Sequence, residues 1–253
     1  MTAIEKLIAT AQAEIGYLEK ASNSQLDDPT ANSGSANYTK YARDLDAIGW
    51  YNGAKQGYAW CTIFVAWCKQ STFGVEMALA MTYQSLGGLG ASCTYLMGYY
   101  KSAGQFFSTP QVGDQIFFTS DGGDSAYHTG LVYAVDGTKV YTIEGNTSSA
   151  SGVVENGGAV AAKSYSLTYS KIAGYGRPDY SLYEDETEEE EMRYNKVSEM
   201  PAYAQTTIKK LIDAGHIQGS GTVFDEDNRP ADVDLSLDMI RMFVVNDRAG
   251  IYG

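Results

Sequence analysis

Residues 113–145, GDQIFFTSDGGDSAYHTGLVYAVDGTKVYTIEG, decide the fold. Within them GDQIFF, HTGLVYAV and KVYTIEG are alternating or β-branched runs, cut apart by Gly and Asp, the pattern of strands joined by turns. Two more strand-like pieces, AVAAKSYSL and IAGYGRP, follow before Pro178. Upstream the pattern is helical. Ile4, Leu7, Ile8, Ala11, Ile15 and Leu18 recur at helical spacing, so the first 20 residues are expected to form an amphipathic helix. A polar stretch from Ser22 to Asn37 reads as loop, and turn residues and aromatics fill Tyr38 to Tyr58. Then comes the apolar run CTIFVAWC, flanked by Trp60 and Lys69 and long enough for a short buried helix that opens at Cys61. Helices first and an antiparallel sheet afterwards make an α+β arrangement.

The acidity of the chain is unevenly spread. Net charge is −13 over 253 residues, and from Glu184 onward 16 acidic residues face only 7 basic ones. A nucleic-acid partner is excluded on that balance, because a phosphate backbone calls for a basic face. The run EDETEEEE at 184–191 places seven carboxylates in eight residues, which repel one another and build no core. It reads as a linker between a domain at 1–183 and a small module at 192–253. In that module a helix around Pro201 to Ile212, ended by Gly215, and a second from Leu235 to Asn246 make a marginal core that docking or self-association would reinforce.

Three cysteines do not make a disulfide framework. No stretch is long enough to span a bilayer, and the first 20 residues lack the basic start and unbroken apolar core of a signal peptide. Synthesis in a reducing cytoplasm is therefore expected, with release by another agent if the substrate lies outside.

Cys61 stands at the first turn of its expected helix. N–H groups at a helix N-terminus favour a thiolate and can also bind the oxyanion of a tetrahedral intermediate. Cys68, seven residues on and about 10 Å away along the same helix, is too far to bridge to it. Cys68 and Cys93 read as small buried hydrophobes. A thiol nucleophile needs a base. Of the two histidines, His216 reads as a solvated turn residue in the acidic module, whereas His128 opens a strand. Glu144 and Asn146 end the next strand, two residues apart and so expected on one face. If the strands pair, a carboxylate or amide there can accept the imidazole Nδ1–H and aim Nε2 at the thiol.

WCTIFVAWC, VGDQIFF, HTGLVYAV and IEGN, in that order, resemble the CHAP domain of the NlpC/P60-like superfamily over about residues 1–180. The resemblance implies a papain-like core and cleavage of peptidoglycan amide bonds, between muramic acid and L-alanine or within the peptide stem and cross-bridge. It implies Cys61 as nucleophile, His128 as base then acid, Glu144 as the orienting acid and Asn146 as the fourth member, with Tyr58 at the oxyanion site. Thr62 follows the nucleophile where many relatives carry Asp or another polar residue. Some relatives hold calcium on an Asp-rich loop. Asp44 and Asp46 occupy a similar region at a longer spacing and without further evident oxygen ligands, so calcium stays an open alternative that is not predicted, and no cofactor is expected. Zinc has no ligand set.

The segment from Pro201 onward resembles the small helical modules of Gram-positive lysins, implying wall binding or self-association as a homo-oligomer. The whole reads as an endolysin-type hydrolase of phage or prophage origin, with the N-acetylmuramoyl-L-alanine amidase bond favoured over a peptide bond. Two alternatives stay open: a wall-binding protein without activity, and a cysteine peptidase or amidase acting on soluble substrates in the cytoplasm.

Overall fold

The computed structural model describes residues 1–154, 156–183 and 193–252. The acidic run at 184–191 lies outside the described residues. The chain divides into two compact units, Met1–Asp185 and Glu186–Gly253.

The first unit is α+β. Its helices are α1 (Ala3–Ala13), α2 (Lys40–Ala47), α3 (Cys61–Phe73), α4 (Val75–Met81) and α5 (Cys93–Ser102). Its strands are β1 (Phe106–Phe107), β2 (Gln115–Phe118), β3 (His128–Val135), β4 (Lys139–Thr147), β5 (Ala159–Ser166) and β6 (Ile172–Gly176), in one antiparallel sheet ordered β1-β6-β2-β3-β4-β5. The five strand-like runs of the sequence all become strands; the two-residue β1 at the edge is too short to show a period.

Helix α1 is shorter than the apolar spacing predicts. Thr2 and Glu5 form a reciprocal capping box at its start. After Ala13 the chain turns through Gly16 at φ 96°, and Leu18 bridges to Ala159 beside β5. Ile15 is left exposed, and Leu18 belongs to the sheet margin rather than to a helix. Helix α2, expected as turn and aromatics, forms because Thr39 accepts the Ala42 N–H at its N-cap and Tyr41, Ala42 and Leu45 are buried.

Helix α3 is apolar all round and correspondingly buried on all but a narrow strip. It lies against β3 and β4, sharing a core of Tyr41, Trp60, Phe64, Leu131 and Ile143. One glycine sets how closely it can lie. A Cβ on Gly145 would fall 2.5 Å from the Cβ of Phe64 and 2.9 Å from the Trp60 ring, so only glycine lets β4 meet this helix. The sheet, through β3 and β4, thereby carries its chemistry up to the N-terminus of α3.

The second unit has helices α6 (Ala202–Asp213) and α7 (Leu237–Arg248), at the two places the sequence indicates. Gly215 follows the first in the left-handed region, φ 75°. A short antiparallel pair, β7 (Arg193–Tyr194) with β8 (Leu235–Ser236), accompanies them. Its own core includes Val197, Ala204, Ile208, Leu211, Ile240 and Val244. Among the described residues no helix is long and apolar enough to cross a membrane.

Candidate active site

Cys61 is the first residue of α3, after an N-cap, Trp60, that supplies no side-chain hydrogen bond. The first N–H groups of the helix are therefore not consumed by a capping side chain, and the Thr62 N–H bonds the Cys61 sulfur. Trp60 is itself held by its indole N–H, which donates to Glu19 Oε2 at 2.9 Å. The nucleophile thus stands on a helix end whose preceding residue is buried and pinned.

His128, first residue of β3, meets Cys61 from the sheet. Its Nε2 lies 2.9 Å from Glu144 Oε2, and both side chains are fully buried. Since Nε2 serves Glu144, the nitrogen left for the thiol is Nδ1, which is buried and makes no hydrogen bond within ordinary geometry, while the two groups interact electrostatically. This reverses the ring orientation expected from sequence, in which Nδ1 faces the carboxylate. A histidine opening a strand presents whichever edge the backbone turn dictates, and strand spacing carries no information on that.

Glu144 is itself held in place. Thr142 Oγ1 donates to its Oε1 at 2.6 Å, and the Tyr165 hydroxyl donates to Oε2 at 3.2 Å. Gly130 makes the approach between strands feasible: a Cβ there would fall 2.5 Å from Glu144 Cγ. Phe118, with its ring 5.8 Å from the imidazole and 4.8 Å from Tyr165, closes off the pair.

Asn146 is buried but not placed by simple strand alternation. Its φ is 54°, and the β4–β5 register slips between Glu144 and Thr147, a bulge that consumes one residue. The rule that residues two apart share a face does not hold across it.

The electrostatics favour a charge-separated pair. A hydrogen bond from Cys93 is the largest influence holding the Cys61 thiol well below its ordinary pKa, against the opposing effect of burial; the bond to His128, its positive charge and the Thr62 N–H add to it. For His128, burial acts downward, but the bonds and charges of Cys61 and Glu144 outweigh it and hold the imidazole at about 10. Thiolate and imidazolium stabilise each other.

Three further residues of the site escaped the sequence reading. Cys93, expected as an inert buried hydrophobe, opens α5 and places its sulfur 3.6 Å from that of Cys61. Nothing in local patterning signals a contact between residues 32 apart. Tyr51 is 5% exposed, and burial, then the charges of Cys61 and Cys93, push its phenol upward. Tyr95 is 55% exposed and joins Tyr58, Leu89 and Lys55 around a groove of about 300 Å³, with Ala59 and Ser92, neighbours of the two cysteines, also lining it. Tyr58 is 61% exposed in that groove, its ring beneath the Lys55 ammonium. A donor in open solvent is poorly suited to an oxyanion site, and Tyr58 instead forms part of the rim.

Of the remaining sequence candidates, Cys68 is buried in mid-helix and burial raises its thiol. His216 lies in the second unit, 6.4 Å from the Tyr252 ring. Asp46 spends one oxygen on the Lys55 N–H and the other on the Gln56 N–H, while Asp44 binds Arg43 and the Trp67 indole. Carboxylates committed in this way to separate partners do not fit a calcium cage.

Residues 53–146 match the family model of the CHAP domain, a span containing Cys61, His128, Glu144 and Asn146. No curated protein matches the chain. Among solved structures it aligns with the crystal structure of Ly7917 at 13% identity and a TM-score of 0.41, covering 71% of this chain and 63% of that one. A second alignment, to Ly7917 with the hydrolyzing product of MDP, has 12% identity and a TM-score of 0.39, covering 69% and 62%. The chain thus spans less than two thirds of the length of these structures.

Proposed function

The chain carries a CHAP domain, and from that premise we propose that it is a peptidoglycan hydrolase that cuts an amide bond through a Cys61 thioester. The observation that carries this reading is the buried relay in which Glu144 holds His128 and His128 meets the thiol at the end of α3.

In the proposed reaction the Cys61 thiolate attacks the amide carbonyl carbon. The oxygen becomes an oxyanion beside the first-turn N–H groups of α3 and the Tyr51 hydroxyl, donors in a water-poor setting where they act most strongly. The imidazolium of His128 gives its proton to the departing amine as the C–N bond breaks, leaving a thioester on Cys61. Neutral His128 then takes a proton from water, whose oxygen attacks the thioester and releases the carboxylic acid and the thiolate. Glu144 fixes the imidazole and stabilises its charged form, which appears twice per cycle.

The favoured bond joins N-acetylmuramic acid to L-alanine. The groove beside the two cysteines presents the exposed faces of Tyr58 and Tyr95, flat apolar surfaces with polar edges of the kind that sugar rings cover, with Asn52, Lys55 and Ser92 as polar neighbours. A wall of the Gram-positive type offers that bond to an enzyme acting from outside. The second unit is proposed as a wall-binding or self-association module, a reading supported by its separate core and by exposed Met239, Met242 and Val245 along α7. Mass spectrometry of digested walls tests the bond: an amidase releases stem peptides beginning with free L-alanine and leaves glycan without peptide, whereas fragments with a new terminus inside the stem or cross-bridge would replace it with a peptidase.

A further inference from the structure

Cys93 has no part in the acyl-transfer cycle, yet its sulfur lies 3.6 Å from the nucleophile. Both cysteines are the first residues of their helices, α3 and α5, and they share one buried cluster with Leu96, Met97 and Phe117. Each is slightly exposed, at 4% and 7%, and Ala59, two residues before Cys61, and Ser92, next to Cys93, line the open groove. The groove therefore ends close to the pair, and the small exposure of each cysteine is the opening through which a small oxidant would enter. Cys68 provides the internal contrast, being buried without exposure two turns into α3.

We propose that Cys61 and Cys93 are a redox modification site: hydrogen peroxide or an organic hydroperoxide converts them to a disulfide, and a thiol reductant reopens it. The Cys61 thiolate attacks one peroxide oxygen, the O–O bond breaks and hydroxide leaves, so sulfur is oxidised by two electrons to the sulfenic acid and the peroxide is reduced. The sulfur of Cys93 then attacks the sulfenic sulfur. The S–O bond breaks, the departing hydroxide takes the Cys93 proton as water, and the S–S bond forms. Closing from 3.6 Å to a bonded pair requires an approach of about 1.5 Å, within the reach of side-chain rotation at two helix ends. The depressed thiol of Cys61 supplies the reactive form at neutral pH. The modification blocks the nucleophile and also shields it from irreversible oxidation, because the disulfide forms before a second oxygen can add.

The test uses the full chain and hydrogen peroxide, with free thiols alkylated afterwards and the digest read by mass, a readout that stands whether or not the hydrolytic reading holds. The expected result is one linked species holding the Cys61 and Cys93 peptides, lighter by two hydrogens than their sum, with Cys68 still alkylated. Dithiothreitol should abolish the link and restore most of the lost hydrolysis. In Cys93→Ser, compared with its own untreated rate, the loss should resist dithiothreitol and Cys61 should gain two or three oxygens. Absence of the linked species from the oxidised wild type, with Cys61 carrying oxygens and Cys93 alkylated, would overturn the proposal even if the variant failed to fold. So would a Cys61–Cys68 link in its place.

Discussion

His128 gives its Nε2 to Glu144 at 2.9 Å, and the pair is fully buried. The carboxylate therefore acts on the side of the ring remote from the thiol, and its negative charge raises the proton affinity of the imidazole facing Cys61. The active form, thiolate with imidazolium, exists between the two titrations. Cys61 is held below its ordinary value, so the acid limb of kcat/KM lies well under that of a free thiol; His128 stands at about 10, so the alkaline limb lies near there. Glu144→Gln removes the charge, and the alkaline limb should move to lower pH while kcat falls on the order of 10²-fold. An alkaline limb that does not move would detach Glu144 from the titration of His128.

The imidazole also sets a stability window, read by urea unfolding across pH. The imidazole pKa is raised on folding, so its contribution is complete below the unfolded value near 6.5 and is lost as pH rises through about 10.

Two glycines hold the strands against the site. Gly145→Ala puts a methyl 2.5 Å from Phe64 Cβ on a packed helix, and we expect a loss of about 1–3 kcal/mol in denaturant unfolding, with activity falling in step. Gly130→Ala puts a methyl 2.5 Å from the Cγ of Glu144, a buried side chain whose carboxylate is bonded to His128, Thr142 and Tyr165. Here kcat should fall by a larger factor than stability accounts for, because the carboxylate is pushed off His128. Equal effects of the two substitutions on Tm and kcat would show that Gly130 serves packing alone.

Tyr51 and Tyr58 separate the buried donor from the exposed rim. Tyr51→Phe keeps the ring and removes the hydroxyl, and kcat should drop by roughly 10–10² with KM little changed, as for a donor felt mainly in the transition state. Tyr58→Ala should raise KM instead, through loss of groove surface. The opposite assignment of kcat and KM effects would return Tyr58 to the oxyanion role.

Lys69 lies buried in α3 with Gln115 Oε1 at 2.7 Å and the Tyr100 hydroxyl at 3.0 Å, and burial drives its ammonium down to about 7. Between pH 7 and 10.5 the unfolded chain binds the extra proton, so this residue makes stability rise with pH in that window. In urea unfolding, wild type should gain on Lys69→Met as pH is raised from 7 to 9. A constant difference between them would place the Lys69 pKa in the ordinary range.

Much of this was legible in one dimension. The period-two runs at 115–118, 128–135 and 139–147 became strands because their side chains fill both faces of a buried sheet, and Cys61 marked a helix start because an apolar run opened there. What escaped has a common physical cause. The ring edge that His128 turns to Glu144, the bulge at Asn146, and the approach of Cys93 and Tyr51 to Cys61 depend on contacts between distant segments. Glycines at 130 and 145 could have been flagged inside strand patterns, where a missing side chain often marks close approach. Helix α2 was hidden because its short amphipathic pattern sits among turn formers, although Thr39 is a proper cap.

The measurement that bears most directly on the account is release of soluble fragments from purified Gram-positive walls by wild type beside Cys61→Ala, with folding of both confirmed by circular dichroism. The account predicts clearing and fragment release by wild type and none above background by the variant. Equal release by a folded Cys61→Ala protein, or no release by wild type from walls of several chemotypes, would contradict it.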